Sequence, residues 1–468
     1  MNRIFIGLGF VILIGCAKTP DKKPEENTWI TGSIPQSGQS IGLFDANGYE
    51  LVTNSVSSDG NFSLSVNTAA GAYYQLRCKS TLIPLYLSPG YNIQISYDTS
   101  RRDSIIIYAG RGKESNEYLL AFSQFESINK PAYDQLLAKS EEEFLLETRR
   151  YRSKSEAFLN NYQEHHFNLD PNFISKERAR ILYAWANRLL HYPESHIYYT
   201  GEDEFAVSDS YHDYKKTVNL DDPDLISLPE YQTFVKAYIE SEAEILQKKG
   251  DKRNRNLIRF DLAKQLINES VVRDFVMHDI VMDAIQFGMD MHGESLVQNF
   301  LDNCQNSVMR AEVNGLAEEW ENISPGNEFP SLSAYDKNGL KFRISDHQGK
   351  FIYLRFWTSK CQPCISEYPT LINLADSVNK GNLVVVDLNL DEDQNSWSNI
   401  IKTWDQPSIL EVQVSRSKIE QVKKKFVING LPRYILIDPN GIILDPVAPP
   451  PSDPSLLEKL AAHPIALN

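Results

Sequence analysis

The chain has no basic excess. Lys and Arg number 47 against 62 Asp and Glu, a formal charge of -15 over 468 residues. A nucleic-acid partner calls for a basic footprint, and the same deficit argues against adhesion to anionic lipid through a basic patch. A membrane-length apolar run is missing too. The N-terminal run from Ile4 to Ile14 falls short of the ~20 residues that span a bilayer. Cysteine is scarce, at five residues. One Cys-x-x-Cys is present, with no second one and no Cys/His pair to complete a zinc site. Among His165, His166, His191, His196, His212, His278 and His292, no two form an i,i+4 pair beside an acid or Cys, so no metal is expected. No period repeats cleanly, which argues against a solenoid. The length suits about three domains.

Met1-Asn2-Arg3 followed by Ile4 to Ile14 fits a signal peptide over residues 1–15. The run ends Leu13-Ile14-Gly15-Cys16, which resembles a bacterial lipobox. That resemblance implies cleavage before Cys16 and a lipid on its sulfur. Residues 16–27 then form a polar tether. Ala17 after the Cys is not the Asp that resembles an inner-membrane retention signal, so the expected place is the outer membrane, facing the periplasm. Disulfides persist in that compartment. Cys78 and Cys304, left over from lipid and motif, are expected to be buried free thiols.

Three compositions follow. Residues 28–112 read as β: short alternating runs, Asp59-Gly60 before Asn61 to Val66, and Ser88-Pro89-Gly90 between two further runs. This predicts a small all-β sandwich. Residues 113–322 switch to helical spacing, as in Tyr118-Leu119-Phe122-Phe125, with Pro171 and Pro229 opening helices. Tyr192 to Asp224 has little periodicity and reads as a long irregular connection. Residues 323–468 read as α/β. The β-type run Phe351-Ile352-Tyr353-Leu354 and the buried parallel-type run Leu383 to Leu388 flank a helical stretch from Ile365. Tyr434 to Asp438 and Ile442 to Leu444 form a hairpin, and Leu456 to Ala462 fits a closing helix.

The first of these strands delivers Cys361-Gln362-Pro363-Cys364 to the start of that helix. Strand ends of this kind are where α/β folds place chemistry. The helix N-terminus stabilises a thiolate on the first sulfur. Cys361 is therefore the expected nucleophile and would form a mixed disulfide with a substrate. Cys364, one turn on, would resolve it. An exported dithiol must be kept reduced by a partner or works as an oxidant.

The segment from Phe329 to Leu444 resembles the TlpA/ResA-like branch of the thioredoxin superfamily, envelope thiol–disulfide oxidoreductases. The residues that carry the likeness are Phe356-Trp357, Cys361-x-Pro363-Cys364, Glu367-x-Pro369, Trp397, Gly430-Leu431-Pro432 and Asp438-x-x-Gly441. The front of the chain resembles the β-sandwich module of many Bacteroidetes lipoproteins, through Asp59-Gly60-x-Phe62, Leu87-x-Pro89-Gly90 and Gly110-Arg111-Gly112 with Asn116-Glu117-Tyr118. The resemblance implies a thioredoxin fold and no cofactor beyond the Cys361–Cys364 disulfide. It implies a cis bond before Pro432, opposite Cys361, where the backbone of Leu431 binds an extended substrate strand. Trp357, Gln362 and Pro363 join Leu431 and Pro432 as expected substrate contacts. It gives Glu367 a part in tuning thiol acidity; a first-turn Glu stabilised by the helix dipole is the other reading. Implied partners are disulfide-containing or dithiol exported proteins, a membrane or periplasmic electron donor, and the membrane through the lipid.

Two positions depart from the family. Lys360 stands where Trp is usual, and its charge should lower the Cys361 pKa. Arg355 stands where thioredoxin has a buried Asp, so that acid is not available there. Two other functions are weighed. A peroxiredoxin-like peroxidase fits Thr358-x-x-Cys361, but Leu354 stands where its Pro should be. A non-enzymatic peptide- or glycan-binding lipoprotein would leave an intact dithiol without a purpose.

Overall fold

The computed structural model describes residues 27–35, 38–46, 48–79, 81–98, 105–287, 291–378, 382–404 and 406–462. The expected signal peptide, Cys16 and nearly all of the tether lie outside these residues. The chain divides into two compact units. One holds Met1–Val218 with Asp224–Phe234, and the other Asn219–Pro223 with Val235–Asn468. The helical stretch after residue 112 is thus shared between the two.

The first unit begins with eight strands: β1 (Thr28–Ser33), β2 (Ser40–Asp45), β3 (Glu50–Ser55), β4 (Asn61–Val66), β5 (Ala72–Cys78), β6 (Thr81–Leu87), β7 (Asn92–Asp98) and β8 (Ile105–Arg111). They form two four-stranded sheets, ordered β4-β1-β7-β8 and β3-β2-β5-β6. Alternation does the sorting. Ile30, Leu64, Ile93 and Ile95 of one sheet share a core with Leu43, Leu76 and Leu85 of the other. Gly112 ends the β part with φ 100°, and a Cβ there would stand 2.1 Å from the Tyr91 ring. Helices α1 (Lys113–Asn129), α2 (Tyr133–Leu137), α3 (Glu141–His165) and α4 (Pro171–Thr200) follow. Asp170 accepts from Asn172 N to cap α4 at its Pro171 start.

The irregular connection expected from Tyr192 begins later. α4 continues through Pro193 to Thr200, and short 3-10 turns occupy Asp209–Thr217 and Pro223–Leu225. Tertiary contacts outweigh the local breaker. Tyr192 is fully buried, stacks on Phe144 at 3.9 Å and donates to Lys139 O.

Asn116 of α1 is completely buried. Its Oδ1 accepts from Tyr86 N at 2.8 Å, and its Nδ2 donates to Tyr86 O and Gly112 O. Tyr86 lies on β6, the edge of its sheet, so one side-chain amide satisfies backbone groups that an edge leaves open.

In the second unit, α5 (Pro229–Lys248, begun in the first unit), α6 (Arg255–Leu266), α7 (Ser270–Phe287), α8 (Met291–Asn303) and α9 (Ser307–Glu321) precede a six-stranded sheet. Its elements are β9 (Ala334–Asp336), β10 (Phe351–Trp357), α10 (Gln362–Val378), β11 (Leu383–Asn389), α11 (Gln394–Trp404), β12 (Ile409–Val414), α12 (Ile419–Lys425), β13 (Arg433–Ile437), β14 (Ile443–Asp445) and α13 (Pro454–Ala461). The sheet order is β14-β13-β10-β11-β12-β9. β10, β11 and β12 run parallel; β13 and β9 are antiparallel to their neighbours. Every residue of β10 is buried, as expected for a central strand covered on both faces. Among the described residues, no helix is long and apolar enough to cross a membrane.

Replacing Asn116 by Leu should leave the Tyr86 amide and carbonyl buried without partners. The first unit should lose about 2–4 kcal/mol in urea unfolding. A change below about 0.5 kcal/mol would contradict this role for the side chain.

Candidate active site

The C-terminal end of β10 turns through Thr358 to Lys360 and enters α10 at Gln362. Cys361 and Cys364 are joined, with S–S 2.05 Å and Cα–Cα 5.2 Å. Cys361 is partly exposed and Cys364 wholly buried. Cys364 N donates to Cys361 Sγ at 3.2 Å, so a first-turn amide of the helix already faces the outer sulfur. Lys360, next to it, is exposed.

Around the inner sulfur lies a small apolar cluster of Trp357, Trp397 and Ile401, with Leu431, Ile400 and Trp404 against it. Trp357 was expected among the substrate contacts. It is instead fully buried, 4.9 Å from the Trp404 ring, and forms a floor under the disulfide. Gln362 and Pro363 are exposed and Leu431 and Pro432 half-buried. The Leu431–Pro432 peptide is cis, as the resemblance implies, and Leu431 packs on the cluster that holds Cys364. Glu367 is half-buried. Its Oε1 accepts from Ser452 Oγ at 2.6 Å and its Oε2 from Thr370 Oγ1 at 3.4 Å. One bond runs to the loop before α13 and the other stays within α10.

The turn before Cys361 is tied to the end of β11. Asp391 accepts from both N and Oγ of Ser359, and from Asn389 Nδ2. Beside it a cavity of about 930 Å³ runs along the C-terminal ends of β11 and β12. Trp397 and Asp391 are in its wall, which links it to the dithiol.

Sequence reading missed the electrostatic core of the site. Arg355 has no exposed surface, nor has Asp387. They form a bidentate pair, Nε to Oδ1 and Nη2 to Oδ2, both 2.6 Å. The remaining Arg355 nitrogen, Nη1, donates to the carbonyl of Cys364 at 2.8 Å. The carboxylate that pairs with Arg355 comes from the neighbouring strand β11. The row extends further: Tyr434, Arg355, Asp387 and Glu411 are successive cross-strand partners on β13, β10, β11 and β12. Tyr368 of α10 donates to Glu411 Oε1 at 3.0 Å, while Glu411 Oε2 is buried with no partner among the described residues. Burial pushes the Glu411 carboxyl well above the carboxylate range, and the Asp387 charge beside it adds to the shift. Burial also raises Asp387, with Arg355 opposing.

Among the described residues, the other two cysteines, Cys78 and Cys304, are buried free thiols. Burial pushes Cys304 up to about 11, far from a reactive thiol. Among the described residues, no group of three His, Cys, Asp or Glu side chains is placed to hold a metal.

Residues 349–443 match the model of a family described as thioredoxin-like. A thiol-disulfide oxidoreductase ResA of Bacillus subtilis (strain 168) is 29% identical over 126 residues, covering 26% of this chain and 67% of the relative. A ResA of Geobacillus kaustophilus is 27% identical over 119 residues, covering 25% and 66%. Among solved structures, the thioredoxin domain of a thiol-disulfide oxidoreductase from Bacteroides vulgatus superposes with TM-score 0.28 at 20% identity, over 31% of this chain and 99% of that one. The pneumococcal exposed lipoprotein thioredoxin gives TM-score 0.22 at 21% identity, over 25% and 87%.

The raised Glu411 carboxyl has a consequence for stability. A carboxyl that binds its proton more tightly when folded contributes most below its unfolded pKa of about 4.3, and that contribution is lost as pH rises. Glu411→Gln should remove the loss. The stability of the variant relative to wild type in urea unfolding should climb as pH rises from 5, by at most about 1.4 kcal/mol per pH unit. A difference that stays flat with pH would refute the assignment.

Proposed function

We propose that this chain, whose C-terminal part is a thioredoxin-like thiol–disulfide oxidoreductase related to ResA, reduces or exchanges disulfides of exported proteins from a lipid anchor in the cell envelope. The observation that carries the reading is the asymmetric dithiol: an outer sulfur within reach of solvent, an inner one sealed beneath it, and the cis Leu431–Pro432 bond beside them. Only the outer sulfur can meet a protein disulfide.

The reduced Cys361 thiolate attacks a substrate disulfide and releases one substrate sulfur. Cys364 then attacks Cys361 Sγ, and the second substrate sulfur leaves. Two electrons pass from the dithiol to the substrate. A membrane or periplasmic electron donor restores the dithiol. The backbone of Leu431 receives the extended segment of the substrate, and the cavity lined by Asp391 and Trp397 gives that segment room beyond the cysteine. Glu367 acts at a distance, through the helix it shares with the cysteines. The lipid on Cys16 holds the enzyme at the periplasmic side of the outer membrane.

With Cys364→Ala in cells, partner proteins should accumulate as mixed disulfides on Cys361, released by a reducing agent. A further Cys361→Ser change should abolish them. Absence of adducts, together with no reduction of insulin disulfides by the purified wild-type chain, would defeat the proposal. Cys16→Ser should move the protein from the membrane fraction to the soluble fraction. A variant that stays with the membrane would show that the anchor is not this cysteine.

A further inference from the structure

The row beneath α10 carries more ionisable groups than a core needs. An apolar replacement of a buried ion pair is often neutral or stabilising, so a fully buried arginine calls for an explanation beyond packing. Arg355 lies between Tyr434 and Asp387 in the row and donates to the active-site helix. It spends two nitrogens on Asp387 and the third on the backbone of Cys364. Its guanidinium also lies 5.5 Å from the centre of the Trp357 ring and 5.4 Å from that of Tyr368. Trp357 is itself packed on Cys364. The guanidinium donates to the backbone carbonyl of the residue that carries the inner sulfur.

That sulfur needs a cation. Its side chain sits among Trp357, Trp397 and Ile401 with no exposed surface, and an apolar burial disfavours a thiolate. Yet resolution of a mixed disulfide proceeds through the thiolate. The supply of positive charge depends on the far end of the row. With one guanidinium and two carboxyls, the buried row is neutral only while one carboxyl keeps its proton. Glu411 is the better placed to hold it: its Oε2 is buried with no partner among the described residues, whereas both Asp387 oxygens accept from Arg355; the bond from Tyr368 to the other Glu411 oxygen works against this. The charged and titratable groups facing Glu411 are Asp387 from β11, Tyr368 from α10, Arg355 from β10 and Lys337 from the turn after β9. Tyr434 faces Arg355 from β13.

We propose that Arg355 is the positioning cation of the inner sulfur, stabilising the thiolate that forms on Cys364, and that Glu411 sets how much of that charge Cys364 experiences. In the step it serves, Cys364 gives up its proton and its sulfur bonds to Cys361 Sγ. The bond between Cys361 and the substrate sulfur breaks, and the substrate sulfur leaves with the electron pair and takes up a proton. The substrate disulfide is the oxidant, and an external dithiol returns the enzyme to its reduced form. With Glu411 protonated, Asp387 offsets Arg355 only once. With Glu411 ionised, the row turns net negative and the thiolate is disfavoured. The inference rests on the dithiol reading above and is tested separately from it.

The test follows alkylation of Cys364 by iodoacetamide from pH 5 to 10 in the full-length Cys361→Ala protein, mapped by mass spectrometry. Adding Glu411→Gln should leave the acid side of the profile unchanged and separate the two at higher pH, with Cys364 about three- to tenfold more reactive in the Gln variant. Arg355→Met with Asp387→Leu, which removes both charges of the pair, should slow Cys364 about tenfold or more. A structural role alone predicts a stability change with an unaltered thiol profile. Profiles that coincide over the whole pH range with and without Glu411→Gln, or a Gln variant less reactive than its parent, would overturn the proposal. The near-isosteric Glu411→Gln decides the matter even if the doubly apolar variant fails to fold. Failure of Cys361 to form mixed disulfides in the Cys364→Ala protein would instead count against the dithiol reading.

Discussion

A fully buried guanidinium holds the active site together. Arg355 binds Asp387 on the next strand through two nitrogens and the first turn of α10 through the third. Three elements that must stay in register for the dithiol to work are thereby joined at one side chain. Removing one partner of such a pair leaves an unpaired charge in the core, a loss of about 3–5 kcal/mol. Arginine suits the position because its planar fork bonds in several directions while remaining charged. A lysine there could not reproduce the bidentate pair.

Two kinds of electrostatics then act on two sulfurs a helical turn apart. The outer one, at the helix N-terminus beside Lys360, faces a first-turn amide and is partly exposed. The inner one is sealed by indole rings, and the carbonyl of its residue accepts from Arg355, a member of a buried row of charged and polar groups. Exposure separates the roles more firmly than the motif does, since both residues are cysteines of one Cys-x-x-Cys. The Ser359–Asp391 bonds tie the turn before Cys361 to the residues after β11, and Leu431 packs on the cluster around Cys364. The site opens toward the ends of β11 and β12.

Much of this was legible in the sequence. The dithiol after an apolar strand, the helix it opens, the hairpin around Asp438 to Gly441 and most strands of the first unit follow from period and turn residues. Pro171 and Pro229 open the helices they were expected to open. What escaped was tertiary in origin. β3 has almost no buried face, so its residues carry no alternation to read. The last turns of α4 are held by Tyr192 and His196 against distant carbonyls, which no local signal records. Asp387 was read as part of an apolar run, and Arg355 as a departure that removed an acid. The missed clue was a single charge interrupting each of three strand-like runs, at Arg355, Asp387 and Glu411. Lone charges in central strands are costly unless paired, and strand register alone can show which of them meet. Glu367, on the expected helix, turned its bonds toward Ser452, a direction set by the closing loop.

The central claim is that one sulfur is offered to partners while its neighbour waits beneath it. The most direct measurement equilibrates the intact chain over a series of dithiothreitol ratios, traps it with iodoacetamide and locates the label by mass spectrometry. The account predicts that Cys361 and Cys364 become free together in one two-electron transition, with Cys361 labelled about tenfold or more faster than Cys364 and well ahead of Cys78 and Cys304. A pair that resists reduction in the folded chain, or equal labelling of the two sulfurs, would contradict it.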